Sequence, residues 1–212
     1  MNAATNWNEF RTALAPLGGP ALNYVYADTS GNIGYLLAGK IPVRPTGNDG
    51  VYPVHSNLTS SEWLGYIPAS SLPSSFNPSD GYIVSANNKV TDNGYPYLIL
   101  NDRDYELPYR FVSNTHTHTH THTRAERIRQ MLDNKEKHTI EDMMAIQGDF
   151  VSLAFRDLKP YIQEMRADLD KKSGKDNMDL TTIYWLTRLL TWNGNTSSDS
   201  YEASVFEIWY RL

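Results

Sequence analysis

Apolar residues near the start of the chain recur at the spacing of a helix. Trp7, Phe10 and Leu14 fall on one helical face. Asn6 and Glu9 stand three residues apart at the beginning of that face, which is the spacing of a capping box. The pattern therefore predicts a short amphipathic helix that begins after Asn6.

The next pattern is that of a β-hairpin. Residues 22–28 alternate in polarity as a half-buried strand, and residues 33–37 (IGYLL) return as a second strand. The segment between them, residues 28–32 (DTSGN), has the composition of a tight turn. We interpret Asp28 as a turn former rather than a catalytic acid, because aspartate side chains hydrogen-bond the backbone two residues further along.

Residues 40–80 are predicted to be mostly loop, because prolines recur through them. Trp63 and Tyr66 are expected to anchor this loop by burial. Arg44, beside Pro45, is interpreted as a solvated or salt-bridged loop arginine rather than a substrate contact. A loop of this length is usually functional or wraps another element.

The stretch 81–110 predicts a strand, a turn and a second strand. Apolar β-formers at 82–84 precede the asparagine pair Asn87-Asn88, and a second apolar run follows at 95–100. The pair supports two interpretations. It is a turn signal, because asparagine tolerates left-handed backbone, or it is a source of neutral amide donors at a fixed place, as an oxyanion hole requires.

The second half of the chain changes to helical spacing. Helices are predicted over residues 125–133, from the cap Thr139 onward, over residues 180–192 and over residues 201–212. Pro160 is expected to begin a further helix rather than to interrupt one. One continuous apolar face is predicted after Thr139, made by Ile140, Met143, Met144, Phe150, Leu153 and Ala154.

Composition narrows the classes of function. The chain has 212 residues, a net charge of −5 and no cysteine. An acidic chain lacks the electrostatic footprint of a nucleic-acid-binding protein, so no nucleic-acid partner is expected. No apolar run is long enough to cross a bilayer, so no membrane partner is expected. The absence of cysteine excludes disulfides and thiol catalysis.

Four blocks of the sequence, in this order and spacing, resemble the penicillin acylase family of N-terminal-nucleophile amidohydrolases. They are NYVYADTSGNIGYLLAGKIPVRPTG (23–47), EWLGYIPASSLPSSFNP (62–78), GYIVSANNKV (81–90) and PYR (108–110). The resemblance implies an α+β fold, namely an incomplete αββα N-terminal-nucleophile hydrolase sandwich with a helical C-terminal segment. It implies that residues 1–110 form the β-rich part of the acylase core and residues 125–212 a helical segment of the same domain.

The resemblance also implies a mechanism. In this family an N-terminal serine, with its own α-amino group as base, attacks a linear amide of a small molecule and forms an acyl-enzyme. Asn87 matches the oxyanion-hole asparagine, and Asn88 is then structural. Arg110 matches the arginine that organises the charged network around the α-amine, and Arg124 competes with it for that role.

The nucleophile is implied to lie upstream of residue 28, where this chain has no serine. We therefore expect a middle piece of the large subunit that is inactive alone and that needs the remainder of the acylase precursor as its partner. The alternative is a catalytically inactive acylase-like binding or structural module. The resemblance makes a structural calcium conceivable in the full-length protein and allows a secreted or extracytoplasmic location, while the compartment stays undetermined.

Threonine and histidine alternate from Thr115 to Thr123. We hypothesise that residues 111–124 are a spurious insert from a retained intron, because CA-repeat DNA encodes this alternation and because deleting the segment joins Arg110 to the family-like run AERI. Two alternatives stay open. The tract is a genuine flexible loop, or it is a metal site in which strand geometry aligns four imidazoles, those of His116, His118, His120 and His122.

Overall fold

A computed structural model of the chain describes residues 1–48, 50, 53–55, 57–92, 94–99, 120–172 and 180–211. These residues divide into two compact units, Met1–His122 and Thr123–Leu212. Strands occur in the first unit and most of the helices in the second. The predicted α+β class is confirmed.

The first unit opens with the predicted helix, α1 (Trp7–Leu14). The Asn6 side chain caps it by accepting a hydrogen bond of 3.0 Å from the Glu9 backbone N–H. The Glu9 carboxylate reaches back one residue further than the capping box predicts, because it accepts from the Thr5 backbone N–H at 2.8 Å. This bond from Thr5 lowers the pKa of Glu9.

The predicted hairpin is confirmed as β1 (Leu22–Ala27) and β2 (Ile33–Ala38), which pair antiparallel. A third strand, β5 (Ser74–Phe76), pairs with the other edge of β2, so the strand order is β1-β2-β5. A separate two-stranded sheet joins β3 (Pro42–Val43) to β4 (Gly65–Tyr66). The central strand β2 is therefore hydrogen-bonded along both edges.

The alternating side chains of β2 enter two different apolar clusters. Leu36 and Ala38 pack with Leu14 of α1 on one face, where the Trp7 ring lies so close to Gly34 that a Cβ there would clash. Leu37 points to the opposite face. Its cluster contains Ile41, Ile67, Leu72 and Ile99, with Tyr95 and Tyr97 packed against them.

A network of hydrogen bonds closes the β1–β2 turn around Asp28. Its Oδ1 accepts from the backbone N–H groups of Ser30 (2.9 Å) and Asn32 (3.0 Å). Its Oδ2 accepts from the Asn32 amide (2.9 Å) and from the Tyr26 hydroxyl (2.8 Å). Asn77, which follows β5, donates from its amide to Asn32 Oδ1 at 2.8 Å. Asp28 is thus the turn former that the sequence indicates, and the bonds from Asn32 are the main reason that its pKa is lowered.

The strands predicted at 82–84 and 95–100 are wrong within the described residues. The backbone from Gly81 to Thr91 and from Gly94 to Ile99 is bends, turns and irregular segments. Tyr95, Tyr97 and Ile99 do alternate into the β2 cluster as strand residues would. Pro96 between them has no N–H for a ladder, so the alternation buries side chains without sheet pairing. Leu100 lies outside the described residues.

The expected burial of Trp63 and Tyr66 is also wrong. Their side chains are 56% and 49% exposed. Instead of entering the core, the two rings contact each other edge to face at 6.2 Å between centroids. The core under this loop is made by the aliphatic residues Ile67 and Leu72.

Five helices lie from His120 onward within the described residues, and the first of them begins in the last residues of the first unit. They are α2 (His120–Asp133), α3 (Ile140–Gln147), α4 (Leu153–Lys172), α5 (Leu180–Thr191) and α6 (Tyr201–Arg211). Thr139 and Asp142 form a reciprocal capping box at the start of α3. The bond from Lys135 is the largest contribution that lowers the pKa of Asp142, to about 2. None of the described helices is both long and apolar enough to cross a bilayer.

Two helical predictions need correction. The single face predicted from Ile140 to Ala154 is broken, because α3 ends before Gly148, and Phe150 lies between helices with 60% of its surface exposed. Pro160 lies inside α4 rather than at its start. Proline in a helix interior costs about 3 kcal/mol. The burial of Phe155 and Ile162, one on each side of it, offsets that cost.

The helical tract also differs from the strand proposed for the Thr-His repeat. His120 and the residues that follow it belong to α2. The backbone there is helical, so the strand assumed for the tract does not continue through His120 and His122. His116 and His118 lie outside the described residues.

Three aromatic rings form the centre of the second unit. Phe155 of α4 lies 4.4 Å from Trp192 and 5.3 Å from Phe206 of α6, measured between ring centroids. Trp192 also donates from its indole N–H to the Asn195 carbonyl at 3.1 Å, which holds the loop before α6. The Arg127 guanidinium of α2 makes two hydrogen bonds, of 2.8 and 2.7 Å, to the carboxylate of Asp149.

We expect replacement of the buried ring Phe206 to destabilise the second unit strongly. Phe206→Ala removes a side chain with 0% exposure, and such changes cost about 3–5 kcal/mol through lost burial and the cavity left behind. The matched control on the same helix is Ile208→Ala, because Ile208 is 65% exposed and should change stability by about 0.5 kcal/mol or less. Urea unfolding followed by tryptophan fluorescence measures both, and equal effects would contradict this core.

The turn network predicts a pH-dependent contribution from Asp28. Its pKa is lower in the folded than in the unfolded chain, so its stabilisation is present above the unfolded value of about 3.9 and is lost as pH falls through the lowered folded value. Asp28→Asn should lower the thermal midpoint at pH 7 by several degrees and by less at pH 3, where the carboxylate is partly protonated. Circular dichroism measures the midpoints. Asp80→Asn, in an exposed turn, is the control, and an equal loss at both pH values would refute this role of the carboxylate.

Candidate active site

The asparagine pair lies in a tight turn after a buried alanine. Asn87 has φ +60°, the left-handed backbone that asparagine tolerates. Asn88 uses its side chain within the turn, because its Oδ1 accepts from the Ala86 N–H and its amide donates to the Lys89 carbonyl, both at 3.1 Å. The Asn88 side chain therefore fixes the turn, and the Asn87 side chain is exposed.

Asn87 lines a cleft of about 350 Å³ at the end of the three-stranded sheet. Aliphatic side chains from β1, β2, the segment before β3 and the loop after Asn88 line its walls, namely Leu22, Leu37, Ile41, Val90 and Ile99. Three amide side chains and two cations make the polar part, namely Asn23, Asn87, Asn88, Lys40 and Arg44. The cleft combines an apolar floor with convergent polar groups, which is typical of small-molecule sites.

The hairpin places Asn23 in this cleft. Asn23 stands opposite Leu37 in the register of β1 and β2. Its Oδ1 accepts a hydrogen bond of 2.6 Å from the Tyr35 hydroxyl, which orients the amide. Sequence analysis does not predict that Asn23 lines a cleft, because a single asparagine in the first strand of a hairpin is not a motif for a binding site.

Lys40 and Arg44, which flank β3, are the two cationic residues among those that line the cleft. No aspartate or glutamate is among the described residues that line it. The sequence-based interpretation of Arg44 as a solvated or salt-bridged arginine is therefore incomplete. Its Cζ lies 5.9 Å from the centroid of Trp63, and no ion pair of Arg44 occurs within the described parts of the chain.

Only one of the two predicted site residues lies within the described part of the chain. Asn87 is described and lines the cleft, while Arg110 lies outside the described residues. Its competitor, Arg124, is exposed on α2 of the second unit. The role of the arginine stays a prediction.

The calcium that the resemblance suggests finds no complete site in the part of the chain described. Among those residues, no group of three or more histidine, cysteine, aspartate or glutamate side chains could hold a metal ion. A structural calcium stays an expectation for the full-length protein.

Comparison with known proteins gives one consistent result. The family described as penicillin amidase matches residues 1–212. Penicillin acylase 2 proenzyme of Pseudomonas sp. (strain SE83) is 29% identical over 189 residues, which are 89% of this chain and 21% of that protein. Acyl-homoserine lactone acylase QuiP of Pseudomonas fluorescens (strain Pf0-1) is 25% identical over 214 residues, which cover 98% of this chain and 24% of that protein.

A solved structure shares the fold. The thermostable penicillin G acylase of Alcaligenes faecalis superposes with a TM-score of 0.63 at 23% identity, over 93% of this chain and 31% of that one. The aligned residues thus span about a fifth to a third of each of these three proteins. The match of the family over residues 1–212, together with this shared fold, shows that the chain belongs to the penicillin amidase family.

Proposed function

We propose that this chain is part of an amidohydrolase that cleaves a linear, non-peptide amide through an acyl-enzyme on an N-terminal serine. The substrate class is a small acyl amide, such as a β-lactam side chain, an N-acyl amine or an N-acyl lactone. The observation that carries the proposal is the Asn87 side chain, which is exposed at a cleft of about 350 Å³ and is held by a turn that Asn88 fixes. Family membership and the names of the relatives support it.

Asn87 suits the stabilisation of an oxyanion. When a hydroxyl attacks an amide carbonyl, negative charge develops on the carbonyl oxygen, and a neutral N–H donor stabilises it without changing its own charge. Because the turn is fixed before the substrate arrives, the donor needs no reorganisation during the reaction. The attacking serine and its α-amino base would come from the remainder of the enzyme. An arginine, Arg110 or Arg124, would keep the α-amine in its reactive form by electrostatic tuning.

The outer edge of β1 suits the attachment of that remainder. On β2, Ile33 and Leu37 bond toward β5, since Asn77 N–H donates to the Ile33 carbonyl and Leu37 N–H donates to the Pro73 carbonyl. The even-numbered residues of β2 therefore bond toward β1, where they pair with Leu22, Tyr24 and Tyr26. The N–H and C=O groups of Asn23, Val25 and Ala27 must then point away from the sheet.

Such an edge fits one kind of partner, an added strand. Among the described residues β1 has β2 as its one neighbouring strand. Val25 in the middle of this edge is 57% exposed. We infer that a strand from the remainder of the acylase extends the sheet here, next to the cleft that Asn23 and Asn87 line.

Turnover tests the role of Asn87. In a chimera, residues 1–212 replace the matching segment of the Pseudomonas penicillin acylase 2 proenzyme, and release of 4-nitroaniline from a phenylacetyl anilide is measured. Asn87→Gly keeps the left-handed backbone and removes the amide, so kcat should fall about a hundredfold to a thousandfold. Asp80→Asn is the control, because Asp80 is exposed and does not line the cleft, and it should leave kcat within a fewfold of the parent.

Two results would contradict the proposal. One is full activity of Asn87→Gly. The other is a chimera that folds and is processed but does not hydrolyse the amide, which would favour an inactive binding module. Chain 1–212 alone is expected to give no turnover, and measurable hydrolysis by it would contradict the need for a partner.

Proline substitution tests the added strand. Val25→Pro removes an outward N–H, so chain 1–212 should keep its circular dichroism spectrum while the chimera loses processing and activity. Tyr24→Pro is the control, because it removes a bond between β1 and β2 and should unfold the hairpin in the chain itself. An active Val25→Pro chimera would show that no strand pairs there.

A further inference from the structure

We propose that a groove beside α1, which Asn87 does not line, binds a single-chain anionic amphiphile, namely the anion of a fatty acid. The groove lies between α1, the end of β2 and residues 66–72, and its volume is about 670 Å³. That volume is within the range of small-molecule sites. The proposal goes beyond amide hydrolysis and does not depend on it.

The floor of this α1 groove is aliphatic. The strand β5 pairs with β2 only as far as Leu36, so the groove opens beside the last residues of β2. Core residues of both β2 clusters form the floor, and each is between 3% and 6% exposed, namely Leu14, Leu36, Leu37, Ala38, Ile67 and Leu72. An alkyl chain laid along this floor would remove apolar surface from water, which is the main source of affinity for such a chain.

The charge of the α1 groove contrasts with that of the whole chain. The chain has a net charge of −5, yet no aspartate or glutamate is among the described residues that line the groove. Two exposed cationic residues, Arg11 and Lys40, belong to the lining. A ligand with an apolar body and a negative head is therefore complementary to the groove.

The ammonium group of Lys40 lies beside a wall of the α1 groove. The Lys40 backbone N–H donates to the Gly18 carbonyl at 3.1 Å, and Nζ is 5.5 Å from the centroid of the Tyr66 ring. Lys40 lines both the groove and the cleft of Asn87, whereas Tyr66 lines the groove and not the cleft. An aromatic ring attracts a cation without neutralising it, and no ion pair of Lys40 occurs within the described residues.

Arg11 contributes in a different way. Its Cζ lies 6.0 Å from the centroid of Trp7, a ring that does not line the α1 groove. The guanidinium therefore adds positive potential at longer range, and we assign the contact with the head group to Lys40.

A fatty-acid anion suits this arrangement better than a membrane or a second copy of the chain. The Lys40 ammonium and the Tyr66 hydroxyl are two donors on one side of the α1 groove, enough for the two oxygens of one carboxylate. A net charge of −5 opposes contact with an anionic bilayer and with another copy of the chain. A single carboxylate on a monomeric chain meets the local positive charge with the least repulsion from the rest of the surface.

Binding of decanoate to the whole chain 1–212 tests the site. Decanoate and the neutral decan-1-ol, both kept monomeric, are titrated at pH 7 and followed by calorimetry or NMR. Decanoate should bind about tenfold tighter than the alcohol, and the difference should shrink with added salt, because only the carboxylate forms a charge-assisted hydrogen bond. Octanoate should bind about fivefold more weakly than decanoate, since it buries two methylenes fewer in an open groove.

Four variants with the circular dichroism spectrum of the parent locate the binding. Lys40→Gln should weaken decanoate about tenfold and leave decan-1-ol unchanged. Tyr66→Leu keeps the charge but removes the ring and its hydroxyl, so it should weaken decanoate to a smaller degree. Ala69→Phe enlarges an exposed residue of the lining and should weaken both probes. Arg44→Gln is the matched control, because Arg44 also lies over a ring, Trp63, at 5.9 Å, but lines the cleft of Asn87 and not the α1 groove.

Several outcomes would overturn the site. They are no binding of decanoate, equal affinity for decanoate and decan-1-ol, full binding by Ala69→Phe, or equal effects of Arg44→Gln and Lys40→Gln, which would place the probe in the cleft. A dimer of the chain that Tyr66→Leu dissociates would assign the groove to a second copy. A chimera whose affinity for decanoate is unchanged by Ala69→Phe would show that the remainder of the acylase fills the groove.

The tests of the groove and of the hydrolase are separate. None of these results would affect hydrolysis of the neutral anilide by the chimera. Conversely, selective binding of decanoate together with an inactive chimera would refute the hydrolase and keep the groove as a binding site.

Discussion

The first unit depends on its central strand, β2, which is paired at both edges and packed on both faces. Its backbone is hydrogen-bonded to β1 on one edge and to β5 on the other. Its side chains enter the α1 cluster on one face and the Ile41–Ile67–Leu72 cluster on the other. A slip by one residue would exchange the two faces, so the register of β2 is fixed by both clusters together. The register in turn fixes where Asn23 stands in the cleft.

The sequence is sufficient to predict an element when contacts between neighbouring residues stabilise it. The Asn6 cap, the turn around Asp28 and the capping box at Thr139 are contacts between near neighbours, and each was predictable. The strands expected at 82–84 and 95–100 depend on partners far along the chain. Their apolar residues found burial without a ladder, a distinction that periodicity does not make.

The candidate site also combines a residue that local sequence identifies with residues that only long-range pairing brings together. Asn87 is recognisable because a pair of asparagines is a local feature and because its surroundings resemble a known family. Asn23, Lys40 and Arg44 reach the same cleft only through the pairing of β1 with β2 and of β3 with β4. Large aromatic residues are usually buried, so the sequence predicts core positions for Trp63 and Tyr66. The stacking of a cation on such a ring has no signal in the sequence.

The cleft joins two kinds of polar group with different electrostatic behaviour. Amides such as those of Asn23 and Asn87 are neutral and discriminate by direction, while Lys40 and Arg44 act over a longer range through charge. Placing both kinds over aliphatic walls allows one end of a ligand to be attracted by charge and the other to be aligned by geometry. In the proposed enzyme, the described residues would bind and orient the ligand, and the partner would supply the nucleophile.

The composition of β1 has a consequence for handling the chain in solution. The strand reads LNYVYA, with no charged residue and no proline along an edge that can accept a neighbour. Proteins commonly protect such edges with lysine, proline or a bulge, since an unprotected edge pairs with its own copies. Aggregation at high concentration is therefore favoured by this strand and opposed by the net charge of −5, which makes colloidal stability depend on salt and on pH near the isoelectric point of 5.6.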